Sequence, residues 1–486
     1  MLTGILIILL FIVSLLLFAL PNSKHIKTIA LLGSLAAFGI SICMLFQFLN
    51  DCPCVLTFNP DILQVLGINF KLSIDGLSIL LILLTTFLTP LIIFSSFENK
   101  REKPRAFYAL ILLMEMSLVG VFAASDVLLF YIFYELALIP IYFITALWGG
   151  KDAKKITLKF FIYTLIGSLL MLVAILYVYS LTPGVHSFAF NSFYNVILTG
   201  KAQSWVFLAF FIAFAIKIPI FPFHTWQPDT YSTAPTQGSM LLAGIMLKMG
   251  LYGLIRFILP LCPVALKDWG FYAILLSIIG IIYSSLIAIK QNEMKRFIAY
   301  SSMAHVGLIA AGIFAGTFNS LEGSIIQMIS HGINVFGLFF IYEIIVRRTN
   351  NGNISSLGGI ASKAPIFAIF FMLILLGNIA LPLTNSFVGE FLLMLGIFEY
   401  NAYLAFFAGF TIILGAVYML WMYQRVAYGE VKPATENFHD LTKQEIIILI
   451  PIIIMIFWIG IYPSLFLKIA EPVVRNIISM TNIIPN

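Results

Sequence analysis

The first charged residue of the chain is Lys24, and the stretch before it, Leu2–Leu20, is apolar almost throughout. Runs of this kind recur to the end of the sequence. About 20 apolar residues carry an α-helix across the hydrocarbon core of a bilayer. Only helices and closed barrels can satisfy every backbone group there. Cutting at the polar breaks predicts fourteen spans, near residues 2–20, 27–49, 74–97, 105–123, 125–148, 155–180, 204–223, 235–259, 270–289, 294–315, 321–347, 365–399, 402–428 and 444–469. The fold class is therefore all-α, a polytopic membrane protein. Charged residues make up 10% of the chain and apolar residues 61%, whereas a soluble domain carries about 25% charge. No polar stretch is long enough for an appended aqueous domain.

Orientation follows from Lys and Arg, which crowd cytoplasmic connections. With the N-terminus outside, the inner connections hold nineteen of them, including Lys24, Lys100, Lys154, Arg347 and Lys432, and the outer ones hold five. Both termini are then expected outside, and the net charge of +6 reflects topology rather than an anionic partner such as nucleic acid. The first run lacks a basic leader and a cleavage site, and reads as a retained span. Cys43, Cys52, Cys54 and Cys262 read as structural, because no second pair accompanies Cys52-Pro53-Cys54 to bind zinc or iron–sulfur. No metal site is expected, nor any nucleotide or haem motif.

Three basic residues fall inside spans. Arg256, near an outer helix end, is expected to snorkel to the interface. Lys217 and Lys248 are deeper, and they join Glu115, Glu135, His305, His331 and Glu390. Ionisable groups at membrane depth are costly, face the protein interior and mark ion or proton paths. A lysine in hydrocarbon holds its proton weakly and a nearby carboxylate restores its hold, so Glu135 is expected to switch Lys217. Histidines suit transfer between such sites. A single buried pair could be a static lock; a row of acids, bases and imidazoles over several helices is better explained as a relay. Glu115 is a possible further member. Asp75, Asp126, Glu322 and Glu343 lie near helix ends.

Two spans are also broken, the seventh by Pro219 and Pro222 and the twelfth around Pro382. Non-helical backbone at membrane depth lines a cavity or is buried in protein, and paired broken helices mark inverted-repeat transporter cores. A separation of five spans predicts inverted repeats over residues 105–259 (helices 4–8) and 260–430 (helices 9–13). Residues 1–104 would hold helices 1–3 and residues 431–486 helix 14.

Phe221-Pro-Phe-His224-Thr-Trp226-Gln-Pro228-Asp229, running on through Ala234-Pro235 to Lys248, resembles the antiporter-like subunits shared by respiratory complex I and the multi-subunit cation/proton antiporters. Lys295-Arg296 through Ser301-Ser302 and His305 resembles them again. The resemblance implies proton translocation coupled to quinone reduction elsewhere in a complex, with Glu135, Lys217, Lys248, His305, His331 and Glu390 on the path. It implies no cofactor bound by this chain, with NADH, FMN, iron–sulfur clusters and quinone in other subunits. The implied partners are other membrane-arm subunits, including paralogues, in an inner membrane. Glu390 in Phe387-Val388-Gly389-Glu390-Phe391 resembles the complex I member with glutamate on span twelve; the alternative is a subunit of a multi-subunit sodium/proton antiporter. Gln227, where many relatives have an apolar residue, is expected in a loop.

Overall fold

A computed structural model of the chain describes residues 1–21, 25–50, 57–58, 70–184 and 186–482. Lys24, Cys52 and Cys54 lie outside the described residues. The crossings, in chain order, are α1 (Leu2–Ala19), α2 (Ile26–Leu49), α3 (Gly76–Ser95), α4 (Pro104–Ala123), α5 (Val127–Trp148), α6 (Ala153–Ser180), α7a (Gly200–Lys217), α8 (Thr236–Leu261), α9 (Pro263–Lys290), α10 (Met294–Ala315), α11 (Phe318–Thr349), α12a (Pro365–Asn378) with α12b (Asn385–Tyr400), α13 (Ala402–Ala427) and α14 (Lys443–Ile461). A short piece, α7b (Gln227–Thr233), follows the break after α7a. Among the described residues fourteen crossings result when the two pieces of α12 count as one.

Polar side chains set the helix ends. The Ala123–Asp126 junction is a true break. Ala124 is extended there, and Asp126 caps α5 through the Leu128 and Leu129 N–H groups. Asp75 caps α3 in the same way at Ser78, supplying acceptors that the first helical turn lacks. Arg347 and Arg348 at the end of α11 hold Glu445 in the first turn of α14 at 2.5 and 2.6 Å.

The C-terminal segment differs from the expected single helix. α14 stops at Ile461, ahead of Pro463, and a separate helix α15 (Ser464–Asn482) follows. Phe466, Ile469, Ala470, Val473, Val474 and Ile477 are buried, while Lys468 and Arg475 are exposed. That spacing is the 3.6-residue period of a helix lying on a surface, not of one crossing a bilayer. Reading the run only for apolar length hides it.

Burial grades from the rim to the centre. In α8 and α10, 94% of the apolar window is buried, against 33% in α2 and α14. The central helices are those that carry Lys248 and His305. Helices in lipid gain nothing from hiding apolar surface from one another, so they pack through small residues and hydrogen bonds. Gly250 shows this on α8, where a Cβ would stand 3.3 Å from the Lys217 Cβ and 2.7 Å from an Ile218 side-chain carbon. Only glycine lets the end of α7a press against α8.

Both expected breaks are present and close alike. Beyond α7a, Ile220 N–H reaches back five residues to the Ala215 carbonyl at 2.7 Å; beyond α12a, Leu381 N–H reaches back five to Leu376 at 3.1 Å. The Trp226 indole takes up the Ile216 carbonyl at 2.8 Å, leaving less backbone unpaired at membrane depth. Pro219 and Pro222 fall within the first break and Pro382 within the second. Aligned on the shared closing bond, Lys217 takes the place of Asn378. Glu390 lies past its break, in the second turn of α12b.

Arg256 does not snorkel. Its guanidinium pairs with Asp75 at the start of α3 and stands 5.0 Å from the Tyr252 ring centre. A carboxylate within reach removes the need to extend to water.

Candidate functional site

Lys217, Lys248, His305, His331 and Glu390 are buried and Glu135 is partly buried, and three of the six sit where a helix is irregular. Glu135 comes just before the turn at Ala137, where Pro140 denies α5 a hydrogen bond. Lys217 is the last residue of α7a. Lys248 lies between two π-helical turns of α8, Leu242–Met246 and Leu254–Ile258, a local widening common at functional sites. Its ammonium donates to the Ala243 carbonyl within the first of these turns at 2.8 Å.

From Lys248 the site continues through two sets of direct contacts. Lys248 Nζ is 2.9 Å from His331 Nδ1, and His331 Nε2 is 3.0 Å from the Ser302 hydroxyl. The rings of His331 and His305 are 6.3 Å apart, centre to centre. His305 Nδ1 then meets Glu390 Oε1 at 3.0 Å. The Gln327 amide donates to the same carboxylate oxygen at 3.1 Å, and Asn378 Nδ2 stands 3.2 Å from His305 Nε2. Lys248, His331, His305 and Glu390 are each no more than 2% exposed. Five helix pieces, α8, α10, α11, α12a and α12b, thus converge on one line of titratable groups.

The first pair is arranged otherwise. Glu135 adjoins Tyr134, over whose ring Lys217 stands, yet Glu135 and Lys217 form no ion pair within 4.0 Å. Among the described residues Lys217 Nζ and Glu135 Oε1 have no hydrogen-bond partner. Lys217 Nζ lies 4.9 Å from the centre of the Tyr134 ring, whose face favours a cation. Glu115 is fully buried with both carboxylate oxygens unpartnered among the described residues, and it is not joined to the line.

A family model described as NADH:quinone oxidoreductase/Mrp antiporter, transmembrane, matches residues 124–415. The chain belongs to this family. Subunit M of the NADH-quinone oxidoreductase of Rickettsia conorii is 41% identical over 458 residues, covering 93% of this chain and 92% of that protein. The subunit M of Rhodobacter capsulatus is 40% identical over 466 residues, 94% of this chain and 91% of that one. A chain in the respiratory complex I of Thermus thermophilus with bound NADH superposes with a TM-score of 0.91 at 28% identity, over 99% of this chain and 100% of that one.

This antiporter-family chain also holds candidate site residues that carry no charge. Gln327 is one, and the signal for it was a polar stripe on α11. Gln327, Ser330, His331 and Asn334 recur three or four residues apart, which is one helix face. Asn334 donates to Asn385 at 3.0 Å and to Ser386 at 2.9 Å, pinning the start of α12b to α11. At the α7 break, His224 Nδ1, Gln227 Oε1 and the Tyr231 hydroxyl are buried without partners among the described residues. Gln227 is not in a loop, as expected, but opens α7b, fully buried, with its amide on the Ala299 carbonyl at 3.3 Å.

Proposed function

We propose that this chain is a proton-translocating membrane-arm subunit of an NADH:quinone oxidoreductase, of the subunit M kind. It would work beside other membrane-arm subunits, with NADH, FMN, iron–sulfur clusters and quinone held elsewhere in the complex. The observation that carries the reading is the buried line from Lys248 through His331 and His305 to Glu390. Relatives at 40% identity across nine-tenths of the chain support the assignment to this enzyme rather than to a sodium/proton antiporter. The distribution of Lys and Arg supports a multi-pass inner-membrane protein with both termini on the outer side. The matching closures of the two breaks support inverted repeats over residues 105–259 and 260–430.

The chemistry follows from donors and acceptors. Lys248, as an ammonium, donates to His331 Nδ1, so that ring carries its own proton on Nε2 and offers it to Ser302. A proton accepted at one ring nitrogen releases one at the other. Water can bridge the gap to His305, which hands a proton from Nδ1 to Glu390. Asn378 donates to His305 Nε2 and so occupies the nitrogen that the next proton needs. Movement at the α12 break would free it. In the first half, the charge of Glu135 sets how firmly Lys217 holds its proton. Glu115 is a further candidate, not yet connected to the line.

Pumping by the intact complex in membrane vesicles, alongside NADH:quinone reduction, tests the relay. Lys217→Ala and Glu135→Gln should each cut pumping on the order of 10²-fold, the contribution of a positioned proton-transfer group, with assembly retained. Normal pumping by either assembled variant would sink the relay.

A further inference from the structure

On α13, Ile413, Val417, Trp421 and Arg425 recur every four residues and so share one face. The first three are 62, 50 and 42% exposed, an apolar track facing out of the bundle. The track ends on a guanidinium that is stacked on the Trp421 ring at 3.9 Å. Arg347 and Arg348 at the end of α11, by contrast, are neutralised by Glu98 and Glu445. Arg425 is paired with no carboxylate, and its Nη2 is enclosed without a hydrogen-bond partner among the described residues.

Beside it lies a cavity of about 360 Å³, lined by Arg425, Trp421, Tyr428, Lys432, Ser355 and Gly358 among others. Its walls are built rather than incidental. Thr435 Oγ1 bonds the Gly358 carbonyl at 2.6 Å and Gly359 N–H bonds the Tyr428 carbonyl at 3.0 Å, tying the loop after α11 to the loop after α13. At Gly358 a Cβ would meet the Glu430 carbonyl oxygen at 2.8 Å, so only glycine allows that approach. Lys432 Nζ spends one proton on the Ser355 carbonyl at 2.6 Å and keeps two donors free. Glu430 also lines the cavity, but no ion pair joins it to Arg425. The Arg425 Nε donates to the Trp421 carbonyl at 3.4 Å, which with the ring contact fixes the guanidinium at the cavity wall and leaves its charge uncompensated beside the free Lys432 donors, a grouping of basic side chains that suits phosphate. Exposed Trp421 and Tyr428 are the residues expected at headgroup depth, and basic pockets between spans on the inner side suit anionic headgroups.

We propose that this cavity binds the phosphate of an anionic phospholipid, whose acyl chains lie along Ile413 and Val417. The test uses the intact complex in phosphatidylcholine vesicles doped with a phosphatidylglycerol that carries a diazirine on its acyl chain. Irradiation should label the stretch from Ile413 to Trp421, and the same probe on phosphatidylcholine should not. Arg425→Gln should lower the labelling about tenfold to a hundredfold, as expected for loss of a charged hydrogen bond, and Arg425→Lys should retain part of it. Lys432→Gln, away from the helix core, gives an independent second loss if Arg425→Gln does not assemble. Equal labelling by the two probes would overturn the proposal in favour of ordinary boundary lipid. Crosslinking of the stretch to a neighbouring subunit would overturn it in favour of a protein contact. Displacement of the probe by inorganic phosphate alone would show a free-anion site and overturn the lipid assignment.

Discussion

The Glu135–Lys217 pair and the line from Lys248 to Glu390, the two halves of the site, are built on different rules. Between Lys248 and Glu390 polar groups touch, in bonds of 2.9 to 3.2 Å, on either side of one gap between His331 and His305. Between Glu135 and Lys217 nothing touches, and an ammonium and a carboxylate oxygen both stand without partners among the described residues. Coulomb energy falls only as the inverse of distance, whereas a hydrogen bond is lost over a few tenths of an ångström and a few tens of degrees. In the proposed relay the first half would therefore work by field and tolerate displacement. The second would work by contact and would not.

Within the contact half the largest expected effect lies at its end. Glu390→Ala removes the acceptor for both His305 and Gln327 and leaves nothing titratable on α12b at that depth. Pumping by assembled complexes in vesicles should fall on the order of 10²-fold. Glu390→Lys should keep part of the activity with an altered pH profile, because a proton-carrying group remains. Wild-type pumping by Glu390→Ala would place the exit elsewhere and dissolve the comparison.

A smaller effect separates field from contact directly. Shortening a glutamate to aspartate keeps its charge but withdraws the carboxylate by one methylene. In the field half, Glu135→Asp should stay within about twofold of wild type, since the interaction varies slowly with distance. In the contact half, Glu390→Asp should lose about tenfold, the worth of a hydrogen bond to a charged group. The pumping rates of the two assembled variants, measured side by side, decide it. If both aspartates are equally tolerated or equally damaging, the distinction between the halves is wrong.

Much of this frame could be read before any geometry. Apolar runs and basic connections gave the crossings, because bilayer thickness and positive-inside bias act on short stretches of chain. Lys217, Lys248 and Glu390 stood out because each is a charge inside such a run, and Pro219, Pro222 and Pro382 because proline breaks a helix wherever it falls. What stayed hidden depends on residues far apart in sequence. Arg256 meets Asp75 across 181 positions, so its fate could not be judged from its own helix. The order of contacts, with His331 beside Lys248 and His305 beside Glu390, depends on how α8, α10, α11 and α12 pack. Neutral partners such as Gln327 and Asn378 carry no charge to betray them. α15 was concealed by a different cause, since its apolar residues continue the run of α14 past Pro463 and differ from it in period.

The smallest expected effect concerns the seat that the two breaks share. In the first half this seat holds Lys217, which can carry a proton; in the second it holds Asn378, which cannot. Asn378 donates to His305 Nε2 at 3.2 Å, and a nitrogen that accepts this bond is closed to a proton arriving from the His331 side. Asn378→Ala should open it. The hydrogen bond lost is a neutral one, worth about 0.5–1.5 kcal/mol net, so the change should be about two- to tenfold. The measurement is the decay of an imposed pH gradient across vesicles holding the intact complex without NADH. Leak should rise by that factor in Asn378→Ala and stay near wild type in Asn378→Gln, whose longer amide keeps a donor within reach. If neither variant changes the leak, Asn378 does not hold His305 closed, and the difference between the two breaks has no consequence for the resting complex.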